Sequence, residues 1–301
     1  FTDVMKVSRE KTALTRAVIE AQKGIYDKNP DNTDFFVFVP FCPSRCKYCS
    51  FITRDVKHSA PLADEYADAL VKEIEYSAKF VKKLRSIYIG GGTPVALSDE
   101  NLVKVLKAVE KINTGVEFTV EAGRPDRITK ENLAILKDFG VTRICVNPQT
   151  FSDETLKRIG RNHTAAEAIE KYLLAKEDFS VNMDFIAGLE GEDFSTFEKS
   201  IKKAIELSPD DITVHSLCIK HGAYLAEEKD RVDCAEIEKM VEFAEKALSD
   251  AGYRPYYLYR QKYMAGNLEN VGYAKPGKEC GYNVDTMEEI SSTVACGAGA
   301  I

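Results

Sequence analysis

The sequence predicts an α/β fold, a partial or full TIM-like (β/α) barrel with a C-terminal extension. Three observations carry that expectation. Short β-branched or aromatic runs alternate with longer stretches whose apolar residues recur at i, i+3 and i+4, the pattern of βα units around a parallel sheet. The first strand-like run is not followed by G-x-G-x-x-G, which counts against a dinucleotide-binding sheet. Residues of unusual chemistry fall just after the strand runs, where barrels place their reactive groups.

In chain order, 1–34 reads as a helix followed by an Asn/Asp/Pro linker, a fragment of a longer N-terminal region. A barrel over 35–232 comes next, with strands expected at 35–39, 85–89, 116–121, 142–146, 180–186 and 211–217. Helices are expected near 62–80, 98–111, 129–139, 164–177 and 193–206. Ser98 and Thr129 suit N-caps; Asn101 and Asn132 stand three residues on, so simple caps without the Glu or Gln of a capping box are expected. The extension, 233–301, adds a helix, an aromatic strand and a Gly-containing tail, and "VACGAGAI" reads as irregular. There is no internal repeat.

Composition sets outer bounds. Of 301 residues, 44% are hydrophobic and 30% charged, as in soluble globular chains, and no apolar run is long enough to cross a bilayer. The net charge of -7 argues against a nucleic-acid partner, which calls for a basic stripe. Phe1 to Val7 leads into a charged helical stretch instead of an apolar leader, and both ends read as possible cuts. The 8 cysteines lack the dense spacing of a small secreted scaffold, so a reducing, cytoplasmic location is expected.

Within "PFCPSRCKYCSF" (40–51), Cys42, Cys46 and Cys49 form C-x3-C-x2-C. Thiolates bind soft metals, and three from one loop can hold three corners of an iron–sulfur cube while leaving a fourth iron open for reaction. A three-thiolate zinc knob completed by His58 is the competing reading, with a disulfide ranked below it because a reducing cell disfavours one. "GGGTP" (90–94) permits close backbone approach, to a ligand or merely within a sharp turn. Glu121 ends a strand of Val, Phe and Thr and faces either the barrel mouth or solvent. His163, His215 and His221 are isolated and suit core or surface roles, and Cys145 and Cys218 read as small buried hydrophobes. The Tyr-rich tail "RPYYLYRQKYMAGNLENVGY" suits either an edge strand or a surface for a carboxylated ring, with Arg254, Arg260 or Lys262 as its cations.

The cysteine spacing, Tyr48 before the last cysteine, and "YIGGGTP" (88–94) resemble the radical S-adenosylmethionine (SAM) superfamily. More narrowly, "VPFCPSRCKYCSF", "VNPQTFSDETLKRIGRNHT", "VNMDFIAGLEGE" and "YLYRQKYMAGNLENVGY" resemble the oxygen-independent coproporphyrinogen III oxidase group, above all its HemZ-type dehydrogenases, from about residue 35 onward. That resemblance implies a radical SAM-type barrel with a [4Fe–4S] cluster on Cys42, Cys46 and Cys49 and SAM on its open iron. It implies that reductive cleavage of SAM yields a 5′-deoxyadenosyl radical, which takes hydrogen from a substrate carbon. Gly90, Gly91, Gly92, Thr93 and Glu121 would contact the first SAM, and Gln149, Arg161 and Asp184, with Leu217, a second; Phe36 and Tyr48 would pack on the adenine side, though aromatics in such runs are more often core.

The implied reaction is oxidative decarboxylation of coproporphyrinogen III propionates to vinyls, giving protoporphyrinogen IX. Its partners would be a tetrapyrrole substrate and a flavodoxin- or ferredoxin-type electron donor, with neither nucleic acid nor membrane. One departure stands out: Cys49-Ser50-Phe51 lacks the further cysteine that oxidase members carry after the third ligand, and matches related haem chaperones instead. A haem-delivering protein that keeps the cluster and fold is therefore the alternative.

Overall fold

The computed structural model describes residues 2, 4–49, 54–218, 234–260 and 268–300. Its centre is one nine-stranded sheet in the order β11-β1-β4-β5-β6-β7-β8-β10-β9. The strands are β1 (Asn32–Val39), β2 (Phe41–Cys42), β3 (Arg54–Asp55), β4 (Lys83–Gly91), β5 (Glu117–Gly123), β6 (Arg143–Val146), β7 (Ser180–Ala187), β8 (Asp211–Ser216), β9 (Arg254–Tyr259), β10 (Asn270–Ala274) and β11 (Ser292–Cys296). The helices are α1 (Arg9–Ala21), α2 (Ala60–Ser77), α3 (Asp99–Glu110), α4 (Lys130–Asp138), α5 (Asp153–Arg158), α6 (Ala165–Ala175), α7 (Phe194–Leu207), α8 (Cys234–Asp250) and α9 (Gly281–Met287).

From β11 through β8 every pairing is parallel, and β10 and β9 then continue the sheet antiparallel. The order runs from β11 to β9 without joining them, so the barrel is partial. Helical crossovers cover the sheet, and the main core of Phe35, Val37, Ile87, Ile89, Phe118, Ile144, Met183, Phe185 and Ile212 is sealed by Leu70, Ile74, Leu102, Leu106, Leu136 and Ile201. The expected strands and helices are present, with ends shifted by a few residues, as is usual where termini fray.

The differences have local causes. β1 starts at Asn32 because the polar residues that read as linker find partners once folded: the Asp34 carboxylate accepts from Ser86 Oγ at 2.5 Å and also from Ser291 Oγ. Thr129 forms a full capping box, with Asn132 in the place usually taken by Glu or Gln, because Asn132 Oδ1 reaches back to the Thr129 amide at 3.0 Å. Thr164 and Glu167 make a second box at the start of α6. α5 is too short for helical periodicity to reveal, and Ser152 caps it.

The C-terminal segment is more regular than expected. "STVAC" pairs with β1 in place of trailing off, Thr33 opposite Ser292 and Val37 opposite Cys296. β10 carries Gly272 in its centre because the Tyr257 ring lies where a side chain would project: a Cβ there would sit 1.8 Å from Tyr257 Cε1. Tyr256 and Tyr257 face inward, their hydroxyls on Asp211 and Thr213, so the aromatic tail supplies an inward-facing edge strand. Arg254 is exposed, Arg260 pairs with Glu269 at 3.4 Å, and Lys262 lies outside the described residues. Among the described residues no helix is long and apolar enough to cross a membrane.

One ion pair ties these parts together. Arg85 in β4 grips Asp285 of α9 through two hydrogen bonds of 2.6 and 2.8 Å, and its Nη2 also donates to the Ile25 carbonyl. Asp285 is 1% exposed, so losing Arg85 leaves a buried carboxylate without its cation. Arg85→Ala should lower stability by about 3 kcal/mol in urea unfolding, whereas replacing both partners by apolar residues should recover much of the loss. A single variant within about 0.5 kcal/mol of wild type would show that the pair does not anchor α9.

Candidate active site

Two parallel strands build the mouth. β1 runs into Pro40 and the cysteine loop, and β4 runs into the glycine triplet alongside it. The Gly92 amide donates to the Val39 carbonyl and the Thr93 amide to the Phe41 carbonyl, both at 2.7 Å. This crossing leaves no room for a side chain, since a Cβ on Gly92 would lie 2.5 Å from Phe41 O. Gly91 adopts φ +107, and a Cβ there would run into the Phe38 ring at 2.6 Å. The triplet therefore exists first to let chain approach chain, and the surface left open beside it belongs to the cavity.

That cavity has a volume of about 350 Å³, within the range of small-molecule sites. Cys42, Cys46 and Cys49 all line it, as do Tyr48, Gly91, Gly92, Thr93, Glu121, Gln149, Arg161, Asp184 and Leu217. The positions named from residue chemistry, and those that the family resemblance implies, thus converge from loops and strands spread over most of the chain. Two do not line it. Gly90 sits behind, its face turned to Tyr88 and Glu121, and Phe36 stacks on Tyr282 at 6.2 Å between ring centres.

Sequence reasoning missed further lining residues, among them Arg124, Asn147, His215, Tyr259 and Asn270, and Cys218, read as a small buried hydrophobe, is only half-buried on the same wall. "EAGRP" did carry a signal for Arg124, a cation just past a strand end. His215, read as isolated, faces Asp184 at 3.8 Å and Tyr259 Oη at 3.5 Å. His58 is an exposed partner of Asp55 and does not line the cavity. His221 lies outside the described residues.

Charge is distributed unevenly across the site. Burial pushes Glu121 up to about 7, against the Tyr88 hydroxyl that donates to it at 2.5 Å. Burial acts on Asp184 in the same sense, but His215 beside it and the Asn182 amide, which donates to Asp184 Oδ1 at 2.7 Å, outweigh it and hold that carboxyl below its ordinary range. Arg161 donates to Tyr48 Oη at 2.7 Å and to the Asn147 carbonyl at 3.2 Å. Gln149 holds a left-handed backbone, φ +70, fixed by its amide on Asp184 O and its carbonyl under the Ile186 amide. Such a conformation costs a non-glycine residue about 1 kcal/mol or more and persists where surroundings impose it.

A second chamber of about 190 Å³ lies deeper in the barrel and shares Glu121, Asp184, His215 and Tyr259 with the first. Thr119 Oγ1, Arg143 Nε and Nη1 and Asp211 Oδ1 are buried along its wall without a hydrogen-bond partner among the described residues, though Arg143 Nη1 lies 3.5 Å from Asp211 Oδ2, and such atoms bind ordered water.

Among the described residues no group of three or more His, Cys, Asp or Glu side chains is gathered as a preformed metal site. The donor chemistry nevertheless fits an iron–sulfur cluster: three thiols of one loop face one cavity, and Cys42 Sγ meets Thr93 Oγ1 at 3.4 Å. Burial, with the charges of Cys46 and Cys49 adding to it, pushes the Cys42 thiol up to about 11, so the sulfur stays protonated until a metal takes the proton's place.

Glu121 offers a direct test of this electrostatic picture. A carboxyl raised from 4.5 to about 7 favours the fold when protonated, and that contribution is lost as pH climbs through this window. Glu121→Gln has no proton to lose. It should match or fall below wild type near pH 4.5 and exceed it by up to about 3 kcal/mol at pH 8, read by urea unfolding of cluster-free protein. A difference that does not vary with pH would contradict the assignment.

Comparison with known proteins agrees with this geometry. The family model described as the radical SAM superfamily matches residues 36–204. The chain is 37% identical to the oxygen-independent coproporphyrinogen-III oxidase-like protein HemZ of Bacillus subtilis (strain 168), an alignment covering 97% of this chain and 61% of that protein. It is 33% identical to the haem chaperone HemW of the same organism, over 88% of this chain and 69% of the relative. The chain thus spans about three fifths of the length of its HemZ relative. Among solved structures, coproporphyrinogen III oxidase (HemN) from Escherichia coli superposes with a TM-score of 0.72 at 22% identity, covering 96% of this chain and 67% of that one, and shares its fold. By sequence and by architecture, the chain belongs to the radical SAM superfamily.

Proposed function

We propose that this chain is an oxygen-independent oxidase of coproporphyrinogen III, converting propionate side chains to vinyl groups in porphyrin biosynthesis. The observation that carries the reading is the single cavity in which the cysteine loop meets Gly91 to Thr93, Glu121, Gln149, Arg161 and Asp184. Similarity to HemZ along nearly the whole chain supports the substrate class. In this reading Cys42, Cys46 and Cys49 hold a [4Fe–4S] cluster and SAM binds beside it. Together they supply the capacity to remove a hydrogen atom from an unactivated carbon.

The protein's share is binding and shielding. Open backbone at Gly91 and Gly92 and the Glu121 carboxylate suit the ammonium of SAM, and a cation arriving there draws Glu121 into its ionised form. Asp184, already held ionised beside His215, and Arg161, braced by Tyr48, offer opposite charges to a second zwitterion, with Gln149 and Leu217 beside them. Each propionate-to-vinyl conversion would release CO2, a hydrogen atom that the 5′-deoxyadenosyl group takes up, and one electron that passes to a one-electron acceptor, so walls that exclude stray donors matter as much as contacts. Reductant would come from a flavodoxin- or ferredoxin-type donor, and a reducing cytoplasm suits the cysteine loop.

The haem chaperones among the relatives, and the Ser50-Phe51 sequence after the third cysteine, favour a second reading in which the same fold carries haem. One experiment separates the two. Anaerobically reconstituted protein given SAM, dithionite and coproporphyrinogen III should form the vinyl product and 5′-deoxyadenosine, and Cys46→Ala should form neither. Tight haem binding with no product from wild type would establish the carrier instead, and a colourless protein without iron would sink both.

A further inference from the structure

Directly behind the cysteine loop, Arg124 is 4% exposed and sits in the turn that follows β5. A guanidinium has five N–H donors, and here five contacts surround it. Nε and Nη2 grip the two carboxylate oxygens of Asp126 at 2.9 and 3.1 Å. Nη1 and Nη2 reach the Ser44 carbonyl at 3.2 Å and the Ser44 hydroxyl at 3.1 Å. Nη1 also points to Cys46 Sγ at 3.5 Å. Cys46 is itself 7% exposed, so this cation meets the sulfur away from solvent.

We propose that Arg124 is a positioning residue for the cluster: its N–H on Cys46 Sγ and its hold on Ser44 fix the loop, and its buried charge makes the cluster easier to reduce. The inference rests on the reading that Cys42, Cys46 and Cys49 hold a [4Fe–4S] cluster. Adding an electron makes a thiolate-bound cluster more negative, and a cation hydrogen-bonded to a ligating sulfur stabilises that state more than the oxidised one. Asp126 works in the opposite sense, because its carboxylate offsets part of the same charge. The pair therefore sets the potential as a balance, with Arg124 pulling it up and Asp126 pulling it down.

The opposed signs make the test selective. Reconstituted wild type, Arg124→Gln and Asp126→Asn would be compared by anaerobic redox titration followed by electron paramagnetic resonance, with iron content and circular dichroism measured on each. Arg124→Gln should move the midpoint to more negative potential, and Asp126→Asn should move it to more positive potential. Arg124→Lys, which keeps the charge but cannot satisfy the fork, should fall between wild type and Arg124→Gln. Should Arg124→Gln fail to load iron, the Asp126→Asn shift decides the matter alone. Iron-loaded variants with midpoints equal to wild type overturn the role of Arg124. Wild type that takes up no iron is a different result, which removes the cluster reading and this assignment with it.

Discussion

The site depends on a crossing of two backbones. β1 and β4 lie parallel, and where they end, Gly92 and Thr93 hydrogen-bond beneath Val39 and Phe41 with no side chain between them. This contact sets where Cys42 emerges, beside Thr93, and so where the rest of the loop must fall. Any Cβ at Gly92 would have to push the Phe41 carbonyl aside. Removing bulk between the strands also presents the bare backbone of Gly91 and Gly92 to the cavity.

Around that crossing the barrel arranges charge by burial and pairing. Glu121 lies where desolvation keeps its proton at hand, while Asp184, with His215 alongside, is kept ionised. On the far side of the loop, arginines face sulfur and phenol: Arg124 on Cys46 and Arg161 on Tyr48. Carboxylates therefore line the strand side of the mouth and guanidinium groups back the cysteine loop.

What could be read from sequence was whatever depends on residue type at short spacing. C-x3-C-x2-C and the glycine triplet announce their chemistry locally, and β-branched runs such as those at 35–39 and 85–89 mark buried parallel strands. What could not be read depends on topology. His215 and Asp184 become partners only because β7 and β8 are neighbours, and Tyr259 reaches them only because β9 and β10 extend the sheet. "VACGAGAI" reads as irregular because the reason for its first residues to join a strand, the open edge of β1, lies far away in sequence. The left-handed Gln149 is likewise imposed by hydrogen bonds across to β7.

The pairing of β11 with β1 bears on the order of events in the cell. The strand leading into the cysteines acquires its outer neighbour only when Ser292 to Cys296 have been synthesised, long after Cys49 has left the ribosome. Chains emerge at about 5–20 residues per second, so for many seconds the thiols hang from a strand with an unsatisfied rim. Until that tail arrives, the rim is an exposed strand edge of the kind that pairs readily with another chain.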